Sequence, residues 1–415
     1  MMRKAGSRRT GRAAFLFLFL CVCALCTALL TSCGEKPLPI PEDLPGHFYY
    51  NMLSEQAKTL YIYLKDSAEQ FSVKETGVPA DLDSVSLAQT ASRLLSDEPR
   101  LFYLDLTGTV LTPKDGSYTL KTGFLFEEKE ILEKRNELES VIKDFSTGLE
   151  QAAAETEDDF SKALFAYDYL ISICEKEESA ANDTEEVSLP TGEKTSGGAE
   201  EAETAFNPLQ STAYGALVSG NADQAGYSLA LRLLFEAAGL DSLTVNGKQN
   251  GENAVWVLVS LDGKYYIADA YSDDPRTEEL PALGFREDIG ADEYSDLRFH
   301  THFCPIAEIA GEYLPGTPGS IPTPSEENDY FTRLSLNGSD APATTDLILS
   351  VLNSGKDQFE IKFFANYSGV EELVRQSVLR FNEAQGKDVY RSDCVVLKSS
   401  SYRTYSVRLF PAVGE

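Results

Sequence analysis

The chain has 415 residues, with 36 lysines and arginines against 66 aspartates and glutamates, a formal charge of −30. That balance excludes an electrostatic grip on nucleic acid, anionic lipid or anionic wall polymer. Hydrophobic residues at 42% and aromatics at 10% suffice for a folded core in two or three domains.

The first 32 residues read as an address. Arg3, Lys4, Arg8, Arg9 and Arg12 form a basic head, Ala13 to Leu30 an apolar run, and Leu30, Thr31, Ser32, Cys33 match a bacterial lipoprotein signal. An uncleaved membrane anchor is the other reading, since roughly 18 apolar residues nearly span a bilayer. The Pro-rich stretch that follows favours lipidation of Cys33, so residues 1–32 are expected to be a signal peptide and 33–45 a tether. Cleavage leaves 31 basic against 66 acidic residues. The expected location is the outer face of a bacterial plasma membrane, with the membrane itself a partner through Cys33.

Residues 46–156 are expected to form a mainly helical domain. Tyr50, Leu53, Ala57, Leu60, Tyr61 and Leu64 recur at helical spacing, Leu101 to Leu106 and Tyr118 to Phe126 suggest a hairpin around Asp115 and Gly116, and Glu127 to Leu149 is amphipathic. Its apolar stripe is Ile131, Leu132, Leu138, Ile142, Phe145 and Leu149.

A core domain is expected over 157–290. It opens with a helix from Asp159 to Cys174, whose Phe160, Leu164, Tyr167 and Ile171 share a face. Residues 175–204 are acidic and nearly free of large apolar side chains, which predicts a disordered insert serving as a solvated spacer or a lure for a basic partner. The segment from Ala222 to Ala238 predicts a helix stopped by Gly239. Leu243 to Val245, Ala254 to Leu261 and Lys264 to Ala270 predict strands, the last two joined through Asp262 and Gly263.

Residues 291–328 are expected to connect, with a Pro-rich linker from Leu314 to Asn328. His300, His302 and Cys304 alternate there, and Pro305 favours an extended backbone at Cys304, placing all three on one face. Imidazole and thiolate are metal ligands, but no fourth ligand is in sight, and neither metal nor cofactor is expected. Residues 329–415 predict a small α/β domain, with strands at Tyr330 to Leu336, Gln358 to Ala365, Asp388 to Leu397 and Tyr402 to Leu409 and helices at Ala343 to Ser354 and Val370 to Ala384. Of the seven cysteines, Cys174, Cys304 and Cys394 remain for the folded part and make no disulfide framework. Gly215 to Gly220 lacks the lysine of a phosphate loop, since Asn221 stands there. Pairs drawn from Asp223, Glu252, Asp269, Asp273 and Asp274 carry no glycosidase signature in so acidic a chain.

Thr212 to Leu217, Gly220 to Tyr227, Ala254 to Val257 and Asp269 to Pro275 together resemble the bacterial transglutaminase-like (papain-like) superfamily. Its pattern runs Thr-Ala-Tyr-Gly-Ala-Leu, Gly-x-Ala-x-Cys-x-Gly-Tyr, His-Ala-Trp-Asn, Asp-x-x-x-Asp-Asp-Pro. Tyr214, Gly215, Gly220, Ala222, Gly226, Tyr227, Trp256, Asp269, Asp273, Asp274 and Pro275 fall in register. The resemblance implies an α+β papain-like core between the two flanking domains, and it places Gln224 at the cysteine position, Ala254 at the histidine position and Asp269 at the aspartate position. A neutral amide neither attacks nor titrates, and alanine accepts no proton. The implied protein is a pseudoenzyme whose cleft, with Gln224, Tyr227, Trp256, Asp269 and Tyr265, binds a peptide, protein or wall fragment without cutting it. Two alternatives stay open: a thiol peptidase or acyl transferase with Cys304 as relocated nucleophile beside His300 or His302, and a purely structural envelope protein.

Overall fold

The computed structural model describes residues 37–114, 117–152, 155, 157–177, 207–274, 299–316, 321–363, 369–398 and 403–412. The leader with Cys33 and almost all of the acidic insert lie outside the described residues. Among the described residues no helix is long and apolar enough to cross a membrane. Helices and strands are mixed in an α+β arrangement.

The N-terminal layer begins with α1 (Phe48–Asn51) and α2 (Glu55–Glu69), the latter started by the Ser54 hydroxyl accepting from Ala57 N at 3.3 Å. Strand β1 (Thr76–Val78) precedes α3 (Leu87–Asp97), and β2 (Leu104–Lys114) and β3 (Ser117–Phe124) form the expected hairpin in a sheet of order β1-β3-β2. Helix α4 (Glu128–Gln151) buries Ile131, Leu138, Ile142 and Phe145. Leu132 is 44% exposed, so the stripe is narrower than expected: one residue past Ile131 is 100° round the helix and clears the contact.

Helix α5 (Asp159–Ile173) starts at Asp158, which accepts from Ser161 N at 2.9 Å. It buries Phe160, Ala163, Ala166, Tyr167 and Leu170, while Leu164 and Ile171 are half-buried, because the alanines let neighbours approach closely on a rotated face. Strand β4 (Glu175–Lys176) pairs in parallel with β5 (Asn221–Ala222). A π-helical turn, Gly215–Ser219, precedes β5 and ends at Gly220 in the left-handed region, φ +70°.

Helix α6 (Gln224–Ala237) lies across an antiparallel sheet of order β8-β7-β6-β9, formed by β6 (Ser242–Gln249), β7 (Glu252–Leu261), β8 (Lys264–Ala268) and β9 (Tyr313–Pro315). The unbroken apolar run of β7 is explained by burial on both faces. Val255, Val257 and Val259 are buried on one face, and Ala254, Trp256 and Leu258 join Leu243, Val245, Ile267, Ile309 and Tyr313 on the other. Strand β9 falls where the sequence predicts linker. It docks at Gly247, where a Cβ would meet the Leu314 carbonyl at 2.2 Å and the Trp256 ring at 2.6 Å. Two short helices, α7 (Ala270–Asp273) and α8 (Ala307–Ala310), follow β8 and precede β9.

The C-terminal layer departs from expectation at its start, where Asp329 caps a helical turn, α9 (Tyr330–Arg333), instead of leading a strand. Then come β10 (Asn337–Gly338), α10 (Ala341–Asn353), β11 (Gln358–Phe363), α11 (Val370–Gln385), β12 (Tyr390–Lys398) and β13 (Thr404–Pro411), with sheet order β10-β11-β13-β12. The two long helices cover one face, burying Ile348, Ile361, Val374, Val378 and Val407 among others. Residues Glu42–Glu415 pack as one unit.

Candidate functional site

Gln224, Ala254 and Asp269, the positions that the resemblance assigns to a thiol triad, lie at the start of α6, on β7 and just after β8. Asp223 caps α6, one oxygen accepting from Gly226 N at 2.9 Å and the other from the Ser211 hydroxyl. Burial pushes its carboxyl up from the ordinary range. Gly226 must be glycine, because a Cβ there would meet the Gln210 carbonyl at 2.3 Å. Gln224 is therefore the first residue of α6, as a helix-terminal nucleophile would be.

Its side chain is committed to the scaffold. Gln224 Oε1 accepts from Val255 N at 3.2 Å, on β7 beside Ala254. Ala254 is 3% exposed and packed in the cluster that contains Trp256 and Tyr313. Asp269 follows β8, caps α7 and is 2% exposed. Its Oδ1 accepts from Ser272 N at 3.1 Å, and its Oδ2 accepts from Ser272 Oγ at 2.7 Å and from the Tyr313 hydroxyl at 2.8 Å. Gln249 Nε2 donates to that hydroxyl at 2.9 Å, and burial holds the Tyr313 phenol well above its ordinary pKa. A phenol from β9 thus serves the carboxylate that an imidazole on β7 would serve.

Tyr227 and Trp256 do not form the open aromatic wall expected of a cleft. Each is 1% exposed. The Tyr227 hydroxyl meets Cys174 O at 2.8 Å and the Asp274 carboxylate, and Trp256 meets Tyr313 edge-on at 5.0 Å between ring centroids. Of the five residues expected to line a cleft, only Gln224 and Tyr265 are part-exposed. Closure by β9, which the sequence reading missed, accounts for Trp256.

His300, His302 and Cys304 do not share an extended face. Cys304 has φ +46° and donates its N–H to Ile267 O at 2.8 Å, an arrangement imposed by docking on β8 that overrides the preference set by Pro305. His300 lies between Glu360 and Asp168, at 2.8 Å from each, and His302 Nδ1 lies 2.9 Å from Asp273 Oδ1. Asp273 also accepts from the Tyr167 hydroxyl at 2.7 Å. All three described thiols are buried. Burial pushes Cys174 up to about 12 and raises Cys304 as well. Among the described residues no group of three His, Cys, Asp or Glu could hold a metal ion.

Asp168, Glu360, Gln249 and Tyr313 are the residues that sequence reasoning missed. Tyr313 could have been found as the apolar triplet Tyr313, Leu314, Pro315 opening a proline-rich stretch, whereas nothing in the sequence ties Asp168 to Glu360.

No family model matches the chain. No curated protein matches it either. Among solved structures, a crystal structure of a TGase is similar at 14% identity with a TM-score of 0.26, covering 48% of this chain and 50% of that one. The chain thus spans about half the length of the structure it matches.

Proposed function

We propose that the chain is a non-catalytic, transglutaminase-like lipoprotein that works as a binding or scaffold module at the outer face of a bacterial membrane. The observation that carries the reading is the internal use of every triad position: Gln224 bonded to β7, Ala254 packed under Tyr313, and Asp269 saturated by Tyr313 and Ser272. A nucleophile needs a titratable group and a proton acceptor within reach; Gln224 and Ala254 supply neither, and both oxygens of Asp269 are already engaged. The burial of Tyr227 and Trp256 favours ligand contact elsewhere than in the ancestral cleft, with the core acting to join its flanking layers. Arg232 of α6 supports that role, its guanidinium donating to the carbonyls of Asp97 at 2.7 Å and Gly46 at 3.2 Å. Lipid attachment at Cys33 supplies the membrane partner.

The test is native-state alkylation of Cys174, Cys304 and Cys394 across pH, resolved by mass spectrometry. All three are expected to react slowly until the chain is unfolded. A fast-reacting Cys304 with a thiol pKa below the ordinary value of about 8.5 would instead establish the relocated nucleophile. Metabolic labelling with a fatty acid, lost in Cys33→Ala, tests the anchor.

A further inference from the structure

His300 is buried at the seam between two layers of the protein, and its two ring nitrogens reach carboxylates from different layers. Nδ1 faces Glu360 Oε2 of β11 at 2.8 Å, and Nε2 faces Asp168 Oδ1 of α5 at 2.8 Å. The His300 backbone N–H donates to the other Glu360 oxygen at 3.1 Å. When the ring donates through Nδ1, both Glu360 oxygens accept, the pattern of an ionised carboxylate. The imidazole stacks on Tyr330 of α9 with centroids 4.5 Å apart and planes at 9°. Beside it, the Thr301 and Thr404 hydroxyls meet at 3.2 Å without any charge.

A neutral imidazole donates through one nitrogen only, and its second nitrogen would present a lone pair to a carboxylate lone pair. Two facing carboxylates are both satisfied only by imidazolium. We propose that protonated His300 is a pH-dependent clasp fastening the C-terminal layer to the core, and that the clasp loosens when the ring loses its proton.

Among the described residues, the groups facing His300 are Asp168 and Tyr167 from α5, Glu360 from β11 and Tyr330 from α9, with the His302 and Asp273 pair next to them. Burial lowers the His300 pKa, but the charges of Asp168 and Glu360 outweigh it and raise it to about 10. Burial also raises Glu360, which the His300 charge opposes. Because His300 is raised above its unfolded value, the clasp is complete below about pH 6.5 and is lost as pH rises toward 10. The direction is the reverse of an acid-triggered histidine switch: release comes on the alkaline side.

The experiment uses the full chain with isotope-labelled histidine. Only three histidines are present, so His300→Gln assigns the His300 ring signal directly. That ring is expected to stay protonated at pH 7.5, and protease cleavage between residues 321 and 328 to accelerate severalfold from pH 7 to 9.5. His300→Gln should cleave at the fast rate at pH 7 with a flat profile. Glu360→Gln should lower both the ring's midpoint and the pH of opening, which keeps the test open if His300→Gln fails to fold. Thr301→Val, which removes an uncharged seam bond, should raise cleavage at every pH without moving the midpoint. A His300 ring neutral at pH 7.5, a pH-independent cleavage rate in the parent chain, or an unchanged midpoint in Glu360→Gln would each overturn the clasp.

Discussion

The Tyr313 hydroxyl donates to Asp269 at 2.8 Å while accepting from Gln249, so a strand arriving from the far side of a 24-residue stretch outside the described residues completes the environment of that buried aspartate. Both side chains are nearly inaccessible, at 5% and 2% exposure. A bond of this kind matters less for its own strength than for what its loss strands.

Tyr313→Phe should therefore cost about 1–3 kcal/mol, because Asp269 loses a donor and Gln249 an acceptor inside the core. Chemical denaturation should show a lower midpoint at unchanged slope. An unchanged midpoint would remove Tyr313 from the account of Asp269.

Installing cysteine and histidine at the positions that the resemblance assigns to a triad should fail in a diagnostic way. Gln224→Cys places a thiol at the start of α6, where the helix terminus favours thiolate, and that thiol should alkylate faster than any native one. Ala254→His must fit a ring against Trp256 and Tyr313, and overpacking of that sort costs about 1–3 kcal/mol. The double variant should be less stable than Gln224→Cys alone and no more nucleophilic. Acyl-transfer activity from the double variant would show that Tyr313 yields to an imidazole.

A second charged cluster predicts an acid-side dependence. Glu98 is 18% exposed and bonds His47 Nε2 at 2.6 Å and the Lys65 ammonium. Burial pushes its carboxyl up, yet the two bonds hold it at about 2, a depressed value whose stabilisation is present above about pH 4.5 and lost as pH falls toward 2. The loss is on the order of 3 kcal/mol. Burial lowers His47 and its Glu98 bond raises it further, so its share fades as pH rises above 6.5. Thermal unfolding of Glu98→Gln should rise less steeply between pH 2 and 5 than that of the parent.

Two glycines should respond in opposite senses. Gly226→Ala drives a methyl into the Gln210 and Thr212 carbonyls and the Ala222 side chain, and about 3 kcal/mol or more of destabilisation is expected. Gly148→Ala lies in α4 with its nearest neighbour, the Phe165 ring, at 3.4 Å, and should gain about 0.5–1 kcal/mol from helix propensity. Denaturant midpoints measured side by side would decide both.

Much of the framework was legible because it is local. The apolar run from Ala222 and the stop at Gly239 delimit α6 to within two residues, and Asp262 with Gly263 marks the β7–β8 turn. The amphipathic spacing of α10 and α11 likewise locates them. Long-range relationships were not legible. The Pro-rich composition after Leu314 signals a linker, yet pairing with β6 and burial of the Tyr313 ring outweigh it. Alternation put His300, His302 and Cys304 on one face, but partners separated from them by 29 to 132 residues divide the two imidazoles. The residue types at Gln224, Ala254 and Asp269 are plain in the sequence, and what occupies their hydrogen bonds is not.

The short parallel pairing of β4 with β5 carries a consequence for how this protein can change. Glu175 N meets Gly220 O and Glu177 N meets Ala222 O, each at 2.9 Å, and Asp223 N meets Gln210 O at 3.1 Å. The two ends of the 178–206 stretch are thus stapled side by side at the foot of α6. Chain length gained or lost between them need not be transmitted to either sheet, which makes this address the natural port for grafting an epitope, a reporter or a second module onto the protein.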